Sequence, residues 1–177
     1  MDPLPPRPAP GAPDGSHPLT EQNAAPADLR RRPLWICPSC GNPFAKRNSS
    51  HSCISVPLDE QFEGRPKARE IFDAFRAAVE AMGPTTLVSS RSRIGFMTRV
   101  RFTGVQVRRD SLRAAFWLRR GAESPRFARV EYIPPGNWIY SIDLRSPADV
   151  DDEIVALIRE SRLIGDQRHH TLYQPKG

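Results

Sequence analysis

The chain has 177 residues, room for one ordinary domain with a small appendage, and its 26 basic against 20 acidic side chains give a net charge of +6. No stretch approaches the roughly eighteen consecutive apolar residues of a helical membrane span. Three cysteines cannot all pair within one chain, which argues against a disulfide framework.

Residues 1–32 are rich in Pro, Ala and Gly, with apolar residues scattered singly, so burial cannot offset the entropy of ordering them. A disordered arm is expected there. Proline interrupts Met1 to Pro10 throughout, leaving no apolar run behind a basic start of the kind a signal peptide needs. The expectation is a soluble cytoplasmic protein without a membrane partner.

Residues 33–56 hold every cysteine of the chain. Cys37 and Cys40, followed by His51 and Cys53, supply the three sulfurs and one imidazole nitrogen that a tetrahedral structural Zn²⁺ requires. Pro38 fixes φ after the first thiolate, and Gly41 permits the positive φ by which backbone N–H groups turn toward sulfur as a second shell. Asn48, Ser49 and Ser50 make the return turn, and His51 and Cys53, two apart on an extended segment, project to the same side. Trp35 and Phe44 are the expected apolar cover of this zinc knuckle. The competing readings are a redox dithiol, a disulfide and an iron–sulfur cluster. The first lacks the preceding strand of an α/β pattern, the second an oxidising compartment, and the third a fourth thiolate.

Residues 57–166 read as an α+β domain, and 167–177 as a polar tail. Pro66 sits in a first helical turn, and Ile71, Phe72, Phe75, Ala78, Val79 and Met82 recur at helical spacing up to Gly83 and Pro84. Period-two segments follow at Arg93 to Phe96, Arg99 to Val107, Leu112 to Arg119, Phe127 to Ile133 and Trp138 to Leu144. A second helix is expected after a capping-box-like Ser146 to Asp149, with Ile154, Leu157, Ile158 and Leu163 as its stripe and Gly165 as its end. Short turns between the strands predict a mostly antiparallel sheet of about five strands with both helices on one face.

Charge is concentrated in that sheet. Arg91 to Arg129 contains eleven arginines against Asp110 and Glu123, a net +9. Ile94, Phe96, Val100 and Phe102 share one parity, and Arg91, Arg93, Arg99 and Arg101 the other; Leu112, Ala114, Phe116 and Leu118 likewise alternate with Arg113, Trp117 and Arg119. The outward face therefore carries guanidinium groups and an indole, which suits a phosphate-bearing polymer with unpaired bases. Arginine outnumbers lysine by 23 to 3, which GC-rich coding also produces, and outward strand charges are commonly a solvated face. An acidic protein or small-anion partner is the third reading.

The run Trp35 to Cys53, together with Leu58, Phe62 and Gly64, Gly83 and Pro84, the strand pairs around Ile94, Phe96, Phe102 and Val105, the segment Pro125–Arg126–Phe127, and the helix after Asp149 and Asp151, resembles the uncharacterised bacterial domain family 5655. The similarity extends from Trp35 to Leu163. It implies a small α+β fold, no established reaction, and an association with predicted nucleases. The chain departs from that family's pattern in the arginine-heavy stretch Arg91 to Arg101.

A catalytic reading finds little support. His17 lies in the arm, His51 is a metal ligand, and His169 and His170 lie in the tail. Asp149, Asp151, Asp152 and Glu153 complement a helix dipole, Asp143 beside Arg145 reads as a surface ion pair, and four protein ligands leave zinc no open position. Two functional expectations remain. One is a nucleic-acid-binding module using Arg93, Arg99, Arg101, Arg113 and Trp117 with Lys46 and Arg47 of the knuckle. The other is a protein-interaction or small-ligand module with a pocket near Trp138 and Tyr140, two residues that alternate with Ile142 and Leu144 as core residues do.

Overall fold

The computed structural model describes residues 32–168. Expectations for the arm up to Arg31 and for the tail from His169 lie outside these residues. Strands β1 (Trp35–Ile36) and β2 (Pro43–Phe44) form a small antiparallel ladder in the knuckle. A short helix α1 (Leu58–Gln61) leads into the long helix α2 (Pro66–Glu80). Strands β3 (Thr86–Ser90), β4 (Arg93–Met97), β5 (Arg101–Val107), β6 (Leu112–Leu118), β7 (Phe127–Ile133) and β8 (Asn137–Leu144) precede helix α3 (Asp152–Gly165). All pairings are antiparallel, in the order β3-β4-β5-β6-β8-β7.

The domain is thus α+β with a six-stranded sheet, one strand more than the alternation predicts. The additional strand is β3, whose two large apolar residues, Leu87 and Val88, fall on opposite faces, so it carries no period-two signal. It is an edge strand, and the linker shields it: Val56 N–H donates to Ser89 O at 3.2 Å, and the buried Gln61 amide donates to Ser89 Oγ and to the Ser90 carbonyl. A covered edge offers fewer unpaired backbone groups to another chain.

One face of the sheet is dry. Ile94, Phe96, Leu112, Ala114, Phe116, Leu118, Tyr140, Ile142 and Leu144 are buried there against Ile71, Phe72, Phe75 and Val79 of α2 and Ile154, Leu157 and Ile158 of α3. Both helices therefore cover the same face, as the stripes predict. Tyr140 is 1% exposed, and its hydroxyl accepts from Ala122 N–H at 2.8 Å and donates to Arg120 O at 3.2 Å. It belongs to the core and not to a pocket, and Trp138 packs half-buried beside it.

Two local departures bear on function. The register runs Phe96↔Thr103 and then Met97↔Arg101, so Phe102 is an extra residue, and the bulge buries Phe102 and Thr103 together. Strand β5 begins at Arg101, not Arg99. Arg99 and Val100 lie in the preceding turn, where both N–H groups donate to Gly165 O at 3.1 Å and satisfy a carbonyl at the end of α3. Ser146 does form a capping box, but on a 3-10 turn at Pro147–Asp149; α3 starts later, where Asp151 accepts from Ile154 N–H at 3.2 Å.

The end of α3 is packed too tightly for any side chain at position 165. A Cβ there would sit 2.7 Å from Phe102 Cδ1 and 2.9 Å from Thr98 Oγ1. Overpacking costs about 1–3 kcal/mol, whereas the helix-propensity gain of alanine is at most about 1 kcal/mol and smaller in a last turn. Gly165→Ala is therefore expected to lower the urea midpoint at unchanged m-value; a raised midpoint would contradict this packing.

Candidate metal centre and basic sheet face

The knuckle draws four donors together. Cys37 Sγ lies 3.8 Å from Cys53 Sγ, and His51 Nε2 lies 3.4 Å from both Cys40 Sγ and Cys53 Sγ. All four donor atoms fall within 4.8 Å of one another. Tetrahedral Zn–S bonds of about 2.3 Å would place two sulfurs about 3.8 Å apart, so the donor set fits zinc in element, number and spacing.

The surrounding chain explains this convergence. Gly41 takes φ +70 and Asn48 φ +55, the two turns that reverse the backbone toward the centre. Cys37 N–H donates to Asn42 O at 3.0 Å and Gly41 N–H to Cys37 O at 2.9 Å, closing the first loop. His51 Nδ1 lies 2.6 Å from Ser49 O, and a carbonyl can only accept, so Nδ1 carries the proton and Nε2 presents its lone pair to the sulfurs. Phe44 stacks on His51 at 4.1 Å, and Trp35 lies 6.1 Å from Phe44, as expected of the apolar cover.

Electrostatics divide the thiols. Burial acts to raise the Cys37 pKa, but N–H groups of Ser39 and Cys40 together with His51 and the Cys40 side chain bring it down to about 6. Desolvation pushes Cys53 up to about 11, followed by its hydrogen bonds to Cys37 and Cys40 and their charge. The hydrogen bond to Ser49 O raises His51. Three sulfurs crowded in this way favour a central cation. A metal held by all four donors would have no open position, as in a structural site.

The other face of the sheet holds a depression of about 180 Å³. Its floor is a row of small residues in register across four strands, Gly95↔Gly104↔Ala115↔Ser141. At about 4.8 Å per strand this row spans about 14 Å. Arg93, Gln106 and Arg113 stand along one side, and Arg101, Trp117, Ile139 and Glu131 along the other. The pocket expected near Trp138 and Tyr140 is therefore on the opposite face, lined by their neighbours Ile139 and Ser141.

Four of the expected nucleic-acid residues, Arg93, Arg101, Arg113 and Trp117, line this depression. Arg99 does not: it lies in the turn, donating to Gln167 Oε1 at 2.8 Å and to Arg32 O at 2.7 Å. Lys46 and Arg47 are exposed on the knuckle and do not line the depression. Arg113 is engaged in a two-pronged pair with Asp143, at 2.7 and 2.9 Å. That hydrogen bond holds the Asp143 carboxyl below the usual range, so the partner of Asp143 is Arg113 and not Arg145. The acids near α3 act as caps and partners: Asp149 accepts from Arg145 and Ser146 N–H, and Arg126 pairs with Asp151 and Glu153.

The row Gly95, Gly104, Ala115 and Ser141 is the element that strand-by-strand reading misses. Gly95, Ala115 and Ser141 occupy the outward parity in sequence, whereas Gly104 shares the parity of Phe102 and reaches the outward face only through the bulge, so strand register is needed to align the row.

Residues 58–161, more than half of the chain, match the family model described as Domain of unknown function (DUF5655). The match begins at α1, after the knuckle. No curated protein and no solved structure matches the chain.

Proposed function

The chain belongs to the DUF5655 family of domains of unknown function, and from the surface its fold exposes we propose that it is a zinc-binding module that holds single-stranded nucleic acid on the open face of its sheet. The observation that carries this reading is the depression in which Arg93, Arg101, Arg113 and Trp117 converge over a floor of small residues. Guanidinium groups recognise phosphate oxygens in pairs, an indole stacks on any unpaired base, and a sheet without outward bulk lets a backbone approach. The zinc in this reading is structural and folds the knuckle, whose exposed Lys46 and Arg47 add to the positive charge of the chain.

The test is anisotropy of a fluorescently labelled oligouridylate across a salt series. Each phosphate contact on a single strand contributes about −0.7 to the slope of log affinity against log salt. Arg93→Ala/Arg101→Ala should therefore weaken binding and flatten the slope by about 1.4. No binding of single-stranded RNA or DNA at low salt would end this reading.

A protein-interaction role is favoured by a different observation. The edge strand β7 exposes Val130 by 47%, Tyr132 by 53% and Ile133 by 42%. A stoichiometric acidic partner that stays bound after nuclease treatment would favour that role over the first.

A further inference from the structure

The charges around the depression are not equivalent. Arg113 is neutralised by Asp143, and Arg129 by Glu131 at 2.9 Å. Arg93 and Arg101 have no ion-pair partner among the described residues. They nevertheless line the same depression, and Arg101 is held there by contact with the sheet. A Cβ built on Gly95 would lie 2.7 Å from Arg101 Nε and 3.2 Å from its Cζ, so the guanidinium rests directly over the glycine. Desolvation at this position and the charge of Arg93 both lower the Arg101 pKa, without removing its proton at neutral pH. Two like charges are thus positioned together with no protein anion between them.

Resting on the nucleic-acid reading, we propose that Arg93 and Arg101 form a site for one phosphate monoester, the terminal phosphate of a strand or of a nucleotide, seated beside Gly95 with its base directed toward Trp117. Two uncompensated guanidiniums match the charge of a monoester, about −1.5 to −2 at neutral pH, better than the single charge of an internal diester. Gly95 is essential because only a residue without Cβ lets the Arg101 fork lie against the sheet. Trp117 stands on the same side of the depression as Arg101, across from Arg93, half-buried and in register with Ile139.

The full chain is titrated with three probes: oligouridylate bearing a 5′-phosphate, the same strand with a 5′-hydroxyl, and uridine 5′-monophosphate. The phosphorylated strand should bind about tenfold more tightly than the hydroxyl strand, as an added charge-assisted contact predicts. Saturable binding of the mononucleotide would identify free nucleotides as an alternative source of the same group; its absence would restrict the site to strand ends. Gly95→Ala keeps every charge but displaces Arg101, so it should weaken the hydroxyl strand modestly and the phosphorylated strand much more, abolishing the tenfold preference. Circular dichroism of this variant should match the wild type, because the clash is with the far end of a flexible side chain. Equal binding of both strands by the wild type, or an undiminished preference in Gly95→Ala, overturns the monoester site alone. Failure of every strand to bind overturns the nucleic-acid reading as well.

Discussion

Cys53→Ser and His51→Ala are each expected to reduce bound zinc from one equivalent per chain to none after dialysis against a chelator. Structural zinc sites of this size gain about 10–16 kcal/mol of apparent binding free energy at neutral pH, most of which is the folding of the loop itself. Removing one of four ligands opens the shell to water and removes a bond that β1 and β2, two residues each, cannot replace by packing. Trp35, Phe44 and His51 stack on one another only while the loop is closed, so indole fluorescence from Trp35 should change with the metal. Far-UV circular dichroism of the sheet should persist, because its core residues lie outside the knuckle. Full zinc retained by both variants would show that the ligand set is wrong.

Phe75→Ala has the next largest effect. Phe75 is fully buried, with ring centroids 6.0 Å from Phe96 and 6.2 Å from Phe116, so it joins α2 to two strands of the sheet. Truncating a buried phenylalanine costs about 3–5 kcal/mol, from lost transfer energy and from the cavity left behind. Domains of this size have about 5–15 kcal/mol in total, so the variant forfeits a large fraction of its stability. Urea unfolding should show a much lower midpoint with zinc still bound at one equivalent. Phe75→Leu, which refills most of the volume, should recover a large part of the loss. A Phe75→Ala midpoint within error of the wild type would contradict the placement of α2 on the sheet.

These variants are expected to separate two units of stability: a knuckle that a bound metal would fold, and a sheet held by apolar contact. That division was legible in the residues, because cysteine spacing and hydrophobic period are local signals. Helix α2 and strands β6 and β8 follow from their alternation for the same reason. Strand β3 was not legible, since it draws its pairing from β4 and its edge cover from Val56 and Gln61, residues distant in sequence. The bulge at Phe102 was hidden similarly. Simple parity places Phe102 correctly in the core and then makes Thr103 outward, whereas the structure buries both. Arg99 lies outside the strand: a turn that caps α3 reads, residue by residue, like the continuation of that strand. The arginine face was visible as charge, but which arginines stay uncompensated depended on cross-strand partners such as Asp143 and Glu131.

In the proposed reading the Cys/His cluster and the open sheet face have separate roles. The first would close a loop with four protein donors, and the second leaves Arg93 and Arg101 without an ion-pair partner among the described residues, beside Gly95. Central to this division is that the metal shell has no position left for a reacting ligand. X-ray absorption at the zinc edge of the untagged full chain tests it most directly. Three sulfurs at about 2.3 Å and one nitrogen at about 2.0 Å, unchanged on adding oligonucleotide, are the predicted result. An oxygen in the shell, or a shell that changes when the strand binds, would contradict it.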